Sequence, residues 1–392
     1  MSQQPWHGAH ARWLGAAQLI GVVRAEPGIT RAVAAQRLGI GSGAATELLA
    51  RLRQARLLDE VPAPTHGRGR PTTVLRPHGD GPLALAADLR ATDWRLAVAG
   101  IDGDPQVVAQ AGYSGADLSA LTDAIGQVYR RKAKRLRAIG VSVAGTVSGA
   151  QLVQFTSRGW RDVDLSVLAA KIPSRAGVQL LLGNDATLAG LAEARTGAAR
   201  ATSTALHLIV AQGIGGTLVV DGEPLAGAHG TAGEYGHVPF GDPAQICPCG
   251  ARGCWDLTID GRALARHRGD APPHDPVGYV HDLLEHPKDA VTQRAFDAVA
   301  ASLGRGIAGL VNLHDPEVVT LGGVGALLRA AAVGAFEAAY RAGLMAYRQD
   351  APPPVRDAVH GEEGSLRGAV IMALDHVTSP AGLADWAQRR RA

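Results

Sequence analysis

Three cysteines, three methionines and four phenylalanines in 392 residues leave no material for a disulfide framework and little for an aromatic core. No continuous apolar run approaches the roughly 18 residues that a membrane span requires. The opening MSQQPWHGAHARW lacks the apolar centre of a signal peptide, so a cytoplasmic protein is expected, nucleoid-associated when bound to DNA. Lysine is missing from the first 80 residues, which carry ten arginines against five acids; the formal net charge of +3 therefore divides into +5 in front and −2 behind. A small basic front on a near-neutral body suits contact with a phosphate backbone. Fifty glycines with so few aromatics imply an interior of Ala, Val and Leu with many tight turns.

All three cysteines fall in one stretch, GAHGTAGEYGHVPFGDPAQICPCGARGCWD, between Gly227 and Asp256. His237, Cys247, Cys249 and Cys254 supply one imidazole and three thiolates, the donor set of a closed tetrahedral Zn²⁺ site. The glycines and prolines in this stretch oppose helix and strand, so a structural ion would provide its order and would position Glu234, three residues before His237. Two other readings are three thiols satisfied without metal and a catalytic ion. The second conflicts with four protein ligands, which leave no position for water.

In the front, residues 12–24 place Leu14, Ala17, Leu19 and Ile20 on one helical face. Thr30 caps a short helix, TRAVAAQRL, and Ser42 is the candidate N-cap of GAATELLARLRQ, with Ala45, Leu48, Leu49 and Leu52 inward. LLDEV, the loop THGRGRP and TTVLRP then read as two short strands around a wing, completing a winged helix-turn-helix that binds double-stranded DNA. Its candidate contacts are Ser42, Gly43, Thr46, Glu47 and Arg51 on the last helix, with Arg68 and Arg70 on the wing. That helix offers no Arg, Lys, Asn or Gln near its start, so modest base specificity is expected. A basic cap that dimerises the protein is the alternative.

Behind it the chain is α/β. Strands are expected at 83–87, 94–99 and 107–110 and a helix at 118–136, after which VQLLLGND delivers Asn184 and Asp185 from a strand end into a helix. TALHLIVAQGIGGTLVV reads as two strands around GIGG, either a hairpin turn or an anion-binding turn. A long helix at 293–312 and PEVVTLGGVGAL repeat the strand-glycine-helix theme, which suggests two halves with a cleft between them. The tail, GLADWAQRRRA, is expected as an amphipathic helix with a basic end.

GTAGEYGHVPF followed by CPCGARGCWD resembles the zinc signature of the ROK family of sugar kinases and sugar-responsive repressors. GRGRPTTVL after a helix-turn-helix resembles the front of that family's repressor branch, and the likeness covers nearly the whole chain. The resemblance implies a duplicated actin-like, ribonuclease-H-like ATPase-type fold with a structural zinc, homodimers or homotetramers, and a sugar or sugar derivative in the cleft that modulates repression. Residues 1–78 would bind DNA and 83–392 would sense sugar, in lobes of approximately 83–200, with a C-terminal helix returning to it, and 201–370.

By the same resemblance Asp185 stands where family kinases keep the base for the sugar hydroxyl, with helix capping as its alternative role. Asn184, Glu234 and His237 stand at sugar-binding positions, Ser157 near the place of a family asparagine, and Asp256 in place of a glutamate. The family's phosphate loop, Asp-x-Gly-Gly-Thr, is here Asp88-Leu89-Arg90-Ala91-Thr92. Two added side chains where a nucleotide must approach predict a chain that is not an enzyme, with Asp185 as a vestigial base and DNA binding as its output. An ATP-dependent hexose kinase and an assembly protein without DNA are the alternatives.

Overall fold

The computed structural model describes residues 6–63, 73–113, 117–155, 158–286 and 289–390. Helices α1 (Trp6–Ala25), α2 (Arg31–Arg37) and α3 (Ser42–Gln54) lead into an antiparallel pair, β1 (Leu58–Pro62) and β2 (Thr73–Pro77). Thr30 caps α2 as expected, its side chain accepting from Val33 N. Gly41 rather than Ser42 is the N-cap of α3, because extended backbone at Gly41 already leads Ser42 into the first turn. The inward face of α1 is shifted by one residue: Trp13, Ala16, Leu19, Ile20 and Val23 are buried, while Leu14 is exposed. Trp13 brings the larger apolar surface, and burying it sets the rotation of the helix.

Two five-stranded sheets follow, and they share one topology. The first lobe holds β3 (Leu83–Leu89), β4 (Asp93–Ala99), β5 (Gln106–Gly112), α4 (Ser119–Lys132) and β6 (Leu136–Val143). It continues with the small sheet β7 (Thr146–Ser148), β8 (Gln151–Phe155) and β9 (Trp160–Asp164), then β10 (Gln179–Asn184) and α5 (Asp185–Thr196). The second holds β11 (Thr204–Val210), β12 (Ile214–Val220), β13 (Glu223–Pro224), α6 (Gly261–Arg268), α7 (Pro276–Glu285), α8 (Ala290–His314), β14 (Val318–Gly323), α9 (Val324–Ala331), α10 (Val333–Gly343), α11 (Ala346–Gln349) and β15 (Val355–Asp357). Spatial order is β10-β6-β3-β4-β5 in one and β15-β14-β11-β12-β13 in the other. In each, three strands form an antiparallel meander and two more add in parallel beside the first.

The chain then returns through α12 (Gly364–Thr378) and α13 (Pro380–Arg389). Alternation in LALAADL explains how α12 docks: Leu83, Leu85 and Leu89 face one apolar layer, while Ala84 and Ala86 join Ala97, Ala99 and Ala138 in a shallow face against α12. Backbone fits against backbone there. A methyl on Gly368 would lie 1.9 Å from the carbonyl oxygen of Leu188 in α5. Gly368→Ala is therefore expected to lower unfolding stability by about 1–3 kcal/mol, read from the urea midpoint, because neither helix backbone can give way cheaply.

Helix α13 does more than close the chain. Leu383 and Trp386 are fully buried in the apolar core of the front helices, with Ile101 of the first lobe beside them. Trp386 Nε1 donates to the Ala55 carbonyl at the end of α3 at 2.8 Å, and Arg24 of α1 pairs with Asp375 of α12 at 2.7 Å. Front and first lobe thus share one core.

Candidate functional site

The cysteine loop is folded into a compact cluster. The ligand atoms of His237, Cys247, Cys249 and Cys254 lie within 4.8 Å of one another, with 3.7 Å between the sulfurs of Cys249 and Cys254 and 3.9 Å from Cys247 Sγ to His237 Nδ1. A tetrahedral ion about 2.3 Å from sulfur and about 2.0–2.1 Å from nitrogen sets its ligands roughly 3.5–3.8 Å apart. The cluster therefore fits a zinc-sized ion in both donor type and spacing. Loop backbone supports it: Cys247 N donates to Ala251 O and Gly250 N to Cys247 O, each at 2.8 Å. Trp255, next to the last cysteine, is fully buried with Nε1 donating to Ser302 O in α8 at 3.2 Å, which anchors the loop to the second lobe.

Asp185 begins α5 at the C-terminal end of β10. Its Oδ1 accepts from Ala186 N at 2.8 Å. Burial pushes its pKa up to about 7, and the negative charges of Asp88 and Glu234 add to the shift, against the lowering effect of that backbone bond. A carboxylate so tuned can take a proton from a hydroxyl near neutrality. Asn184 is the helix cap, its Oδ1 accepting from Thr187 N and its Nδ2 donating to Gly145 O, both at 3.1 Å. Glu234 accepts from Thr146 Oγ1 at 3.1 Å, a bond from the second lobe to the first across the mouth of this site. Thr146, in AGTVSG, was missed in the sequence, where only its place after a strand end marked it.

Asp256 turns toward the GIGG segment. Its Oδ1 accepts from Ile214 N at 2.6 Å, and the side chain sits so close to Gly236 that a methyl there would fall 2.2 Å from that oxygen. The segment is a hairpin: Gly213 lies in the turn and Ile214, Gly215 and Gly216 already belong to β12. The Ile214 amide, one donor that an anion would need, is taken by a carboxylate.

Loop 88–92 departs from the expectation of a side chain in the way. Arg90 is turned back on Asp93 through two guanidinium nitrogens at 2.7–2.9 Å, with Glu362 at 3.5 Å beyond. The turn closes by Arg90 N to Asp93 O at 3.0 Å, and none of residues 88–92 has a positive φ. Buried Asp88 pairs with Arg95 at 3.0 Å and accepts from Ser365 Oγ at 3.0 Å; Arg95 also binds Glu363 and donates to Glu362 O at 2.8 Å. Desolvation raises the pKa of Asp88 against the lowering influence of Arg95.

On the front, Ser42, Gly43, Thr46 and Glu47 are exposed near the start of α3. Thr46 Oγ1 donates to Ser42 O at 2.8 Å, Glu47 pairs with Arg51 at 3.6 Å, and Arg51 also donates to the carbonyl of Arg12 at 3.0 Å. Arg68, Arg70 and Ser157 lie outside the described residues.

Two halves of one topology around an acidic site, with a His/Cys cluster on one wall, define a duplicated α/β protein of the sugar-kinase type carrying a helical front. The chain belongs to the ROK family, whose model matches residues 87–376; a MarR family model matches residues 14–69. The crystal structure of a ROK family transcriptional regulator, a homolog of the E. coli MLC protein, superposes with a TM-score of 0.74 at 20% identity, over 96% of this chain and 99% of that one. At that identity the likeness shows a shared fold, front included. The ROK hexokinase of Thermus thermophilus is 29% identical with a TM-score of 0.61, over 75% of this chain and 99% of its own. The xylose repressor of Bacillus subtilis is 28% identical over 185 residues, 47% of each chain. Among the described residues no helix is long and apolar enough to cross a membrane.

The expectation of a chain that is not an enzyme is corrected. Sugar kinases recur among the relatives, glucokinases included, and the hexokinase matches along nearly its full length. The physical reason lies in loop 88–92, whose turn forms without left-handed backbone and whose arginine is held aside by acids. Loss of two glycines there does not exclude kinase chemistry.

Proposed function

We propose that this protein is a ROK-type transcription regulator in which a winged helix at residues 1–78 binds operator DNA and a sugar in the cleft of residues 83–392 changes that affinity. The observation that carries this reading is the continuous core of α1, α3 and α13, which couples a helical front of the MarR type to a complete ROK body. A regulator and repressors of the same family among the relatives support it.

Asn184, Asp185, Glu234 and His237 would bind the sugar hydroxyls, with Ser157 and Asp256 at the margin. Zn²⁺ would be held by His237, Cys247, Cys249 and Cys254, fixing the position of Glu234 without entering the chemistry. Asp185 gives the same pocket a base that would take the proton of a sugar hydroxyl as its oxygen bonds to the terminal phosphoryl of a nucleoside triphosphate and the diphosphate leaves, so sensing and phosphorylation would share one site. Two or more copies would align their winged helices on a two-fold operator. Sugar shifts DNA affinity only through its different affinity for the DNA-competent and DNA-incompetent lobe arrangements, typically about 1–3 kcal/mol, or 5- to 150-fold.

A gel-shift titration on DNA from upstream of its own gene, with glucose, xylose, N-acetylglucosamine and an amino hexose in turn, tests this. At least one sugar is expected to move the midpoint by fivefold or more. Binding that no sugar alters, or no binding to any fragment, would overturn the reading.

A further inference from the structure

Some of the cations on the surface of this protein sit beside a carboxylate. Arg268 pairs with Asp270, Arg348 with Asp315, Arg195 with Glu223, Lys171 with Asp123 and Arg389 with Asp385. The end of α4 gathers cations of the other kind within five residues. In YRRKAKRLR, Arg130, Arg131, Lys132 and Lys134 are all exposed, and none reaches a carboxylate among the described residues. Cations in the last turn of a helix complement its dipole, but that effect fades within a turn and does not call for four. Four like charges crowded together repel one another, so an anionic partner gains from each of them.

The position of the cluster supplies a second argument. Arg137, three residues on, lies over the ring of Trp386 at 4.9 Å, and Arg390 covers the same ring at 5.4 Å. Trp386 in turn donates to Ala55 at the base of α3. One buried indole therefore joins the helix placed to read DNA, the basic end of α13 and the strand that follows the α4 cations. Arg135, between them, donates to Gly81 O at 2.8 Å and ties the cluster to the segment linking front and first lobe.

We propose that Arg130, Arg131, Lys132 and Lys134, with Arg390, form a second duplex-binding surface on the first lobe, which holds the phosphates of DNA flanking the stretch read by the winged helix. The inference rests on the DNA-binding reading above. The surface carries no base-reading geometry, and its contribution is sequence-independent and steeply salt-dependent. It offsets the weak reader at the start of α3, where Thr46 and Glu47 are already engaged by the helix itself.

The test compares the full-length protein with the variant R130A/R131A/K132A/K134A on 20-base-pair and 60-base-pair duplexes from upstream of its own gene, by fluorescence anisotropy between 50 and 300 mM KCl. Each phosphate contact contributes about 0.9 to the slope of log K against log salt, so the variant is expected to lose about 3–4 from that slope on the longer duplex, with affinity down roughly tenfold or more. The 20-base-pair duplex is expected to bind both proteins alike. A charge-keeping variant, R130K/R131K/K134R, is expected to bind as the parent does. Unchanged slopes with intact parent binding would overturn this inference alone. So would an equal loss on both lengths, or tighter binding of single-stranded RNA than of duplex by the parent. A parent that binds neither duplex would overturn the DNA-binding reading, and this surface with it.

Discussion

Asp185→Asn is expected to reduce sugar-dependent ATP turnover by about 10²–10⁴-fold while leaving the protein folded, because it removes a positioned base and little else. Asn keeps the oxygen that accepts from Ala186 N, so the start of α5 remains capped. As a base Asp185 would act in its ionised form, and burial lifts its pKa to about 7. Turnover at low sugar is therefore expected to fall about tenfold per pH unit below 7 and to level off above it. Stability runs the other way. The folded state holds this proton more tightly than the unfolded chain, so the contribution of Asp185 is fully present near pH 4 and is lost as pH rises toward and through 7. The Asn variant lacks that loss, and its melting point at pH 8 is expected to equal or exceed the parent's. Sugar-dependent turnover as fast in the variant as in the parent would remove Asp185 from the chemistry.

Cys249→Ser, or exhaustive chelation, is expected to abolish metal binding and with it the sugar response of DNA binding. Closed thiolate sites bind zinc with free energies on the order of 10 kcal/mol, and where the ion organises its own loop that energy is folding energy. Residues 229–254 contain no helix beyond the single turn at Tyr235–His237, so their shape depends on the four ligands and on the anchor at Trp255. Without the ion, Glu234 loses its fixed distance from Thr146, and the hydrogen bond between them, one of two from β7 to this loop beside that of Ser148 Oγ to His229 O, goes with it. The core beneath the front is built from α1, α2, α3 and α13 and holds no residue of the cysteine loop, so basal DNA affinity is expected to stay. Inductively coupled plasma measurement of zinc per chain, paired with the gel shift, checks both halves. A zinc-free protein that still answers to sugar would separate the loop from the pocket.

The sequence made the His/Cys cluster that could hold a metal legible because chemistry and spacing coincide there: three thiols and an imidazole in 18 residues admit few other uses. The two glycine-marked strand ends announced the duplicated halves, and the apolar run at 83–87 marked the first strand of the first sheet, though not which layer each of its faces meets. Other features depend on contacts made far along the chain. Arg90 reads as an obstruction in a loop where glycine is usual, yet its partners are Asp93 and Glu362, the second of them 272 residues away. Ser365 on Asp88, and Glu363 on the Arg95 that pairs with it, arrive by the same long return and carry no local motif. The face of α1 was displaced by one residue because Trp13 packs against the end of the chain as well as its own neighbours. Periodicity within one helix holds no information about that.

Trp386 and Leu383 lie beneath a domain whose first helix begins some 380 residues earlier. On the ribosome, then, the front domain stays without its floor until almost the whole ROK body has emerged. Maturation of the two parts is coupled by order of synthesis, and a nascent or prematurely terminated chain carries no finished front domain.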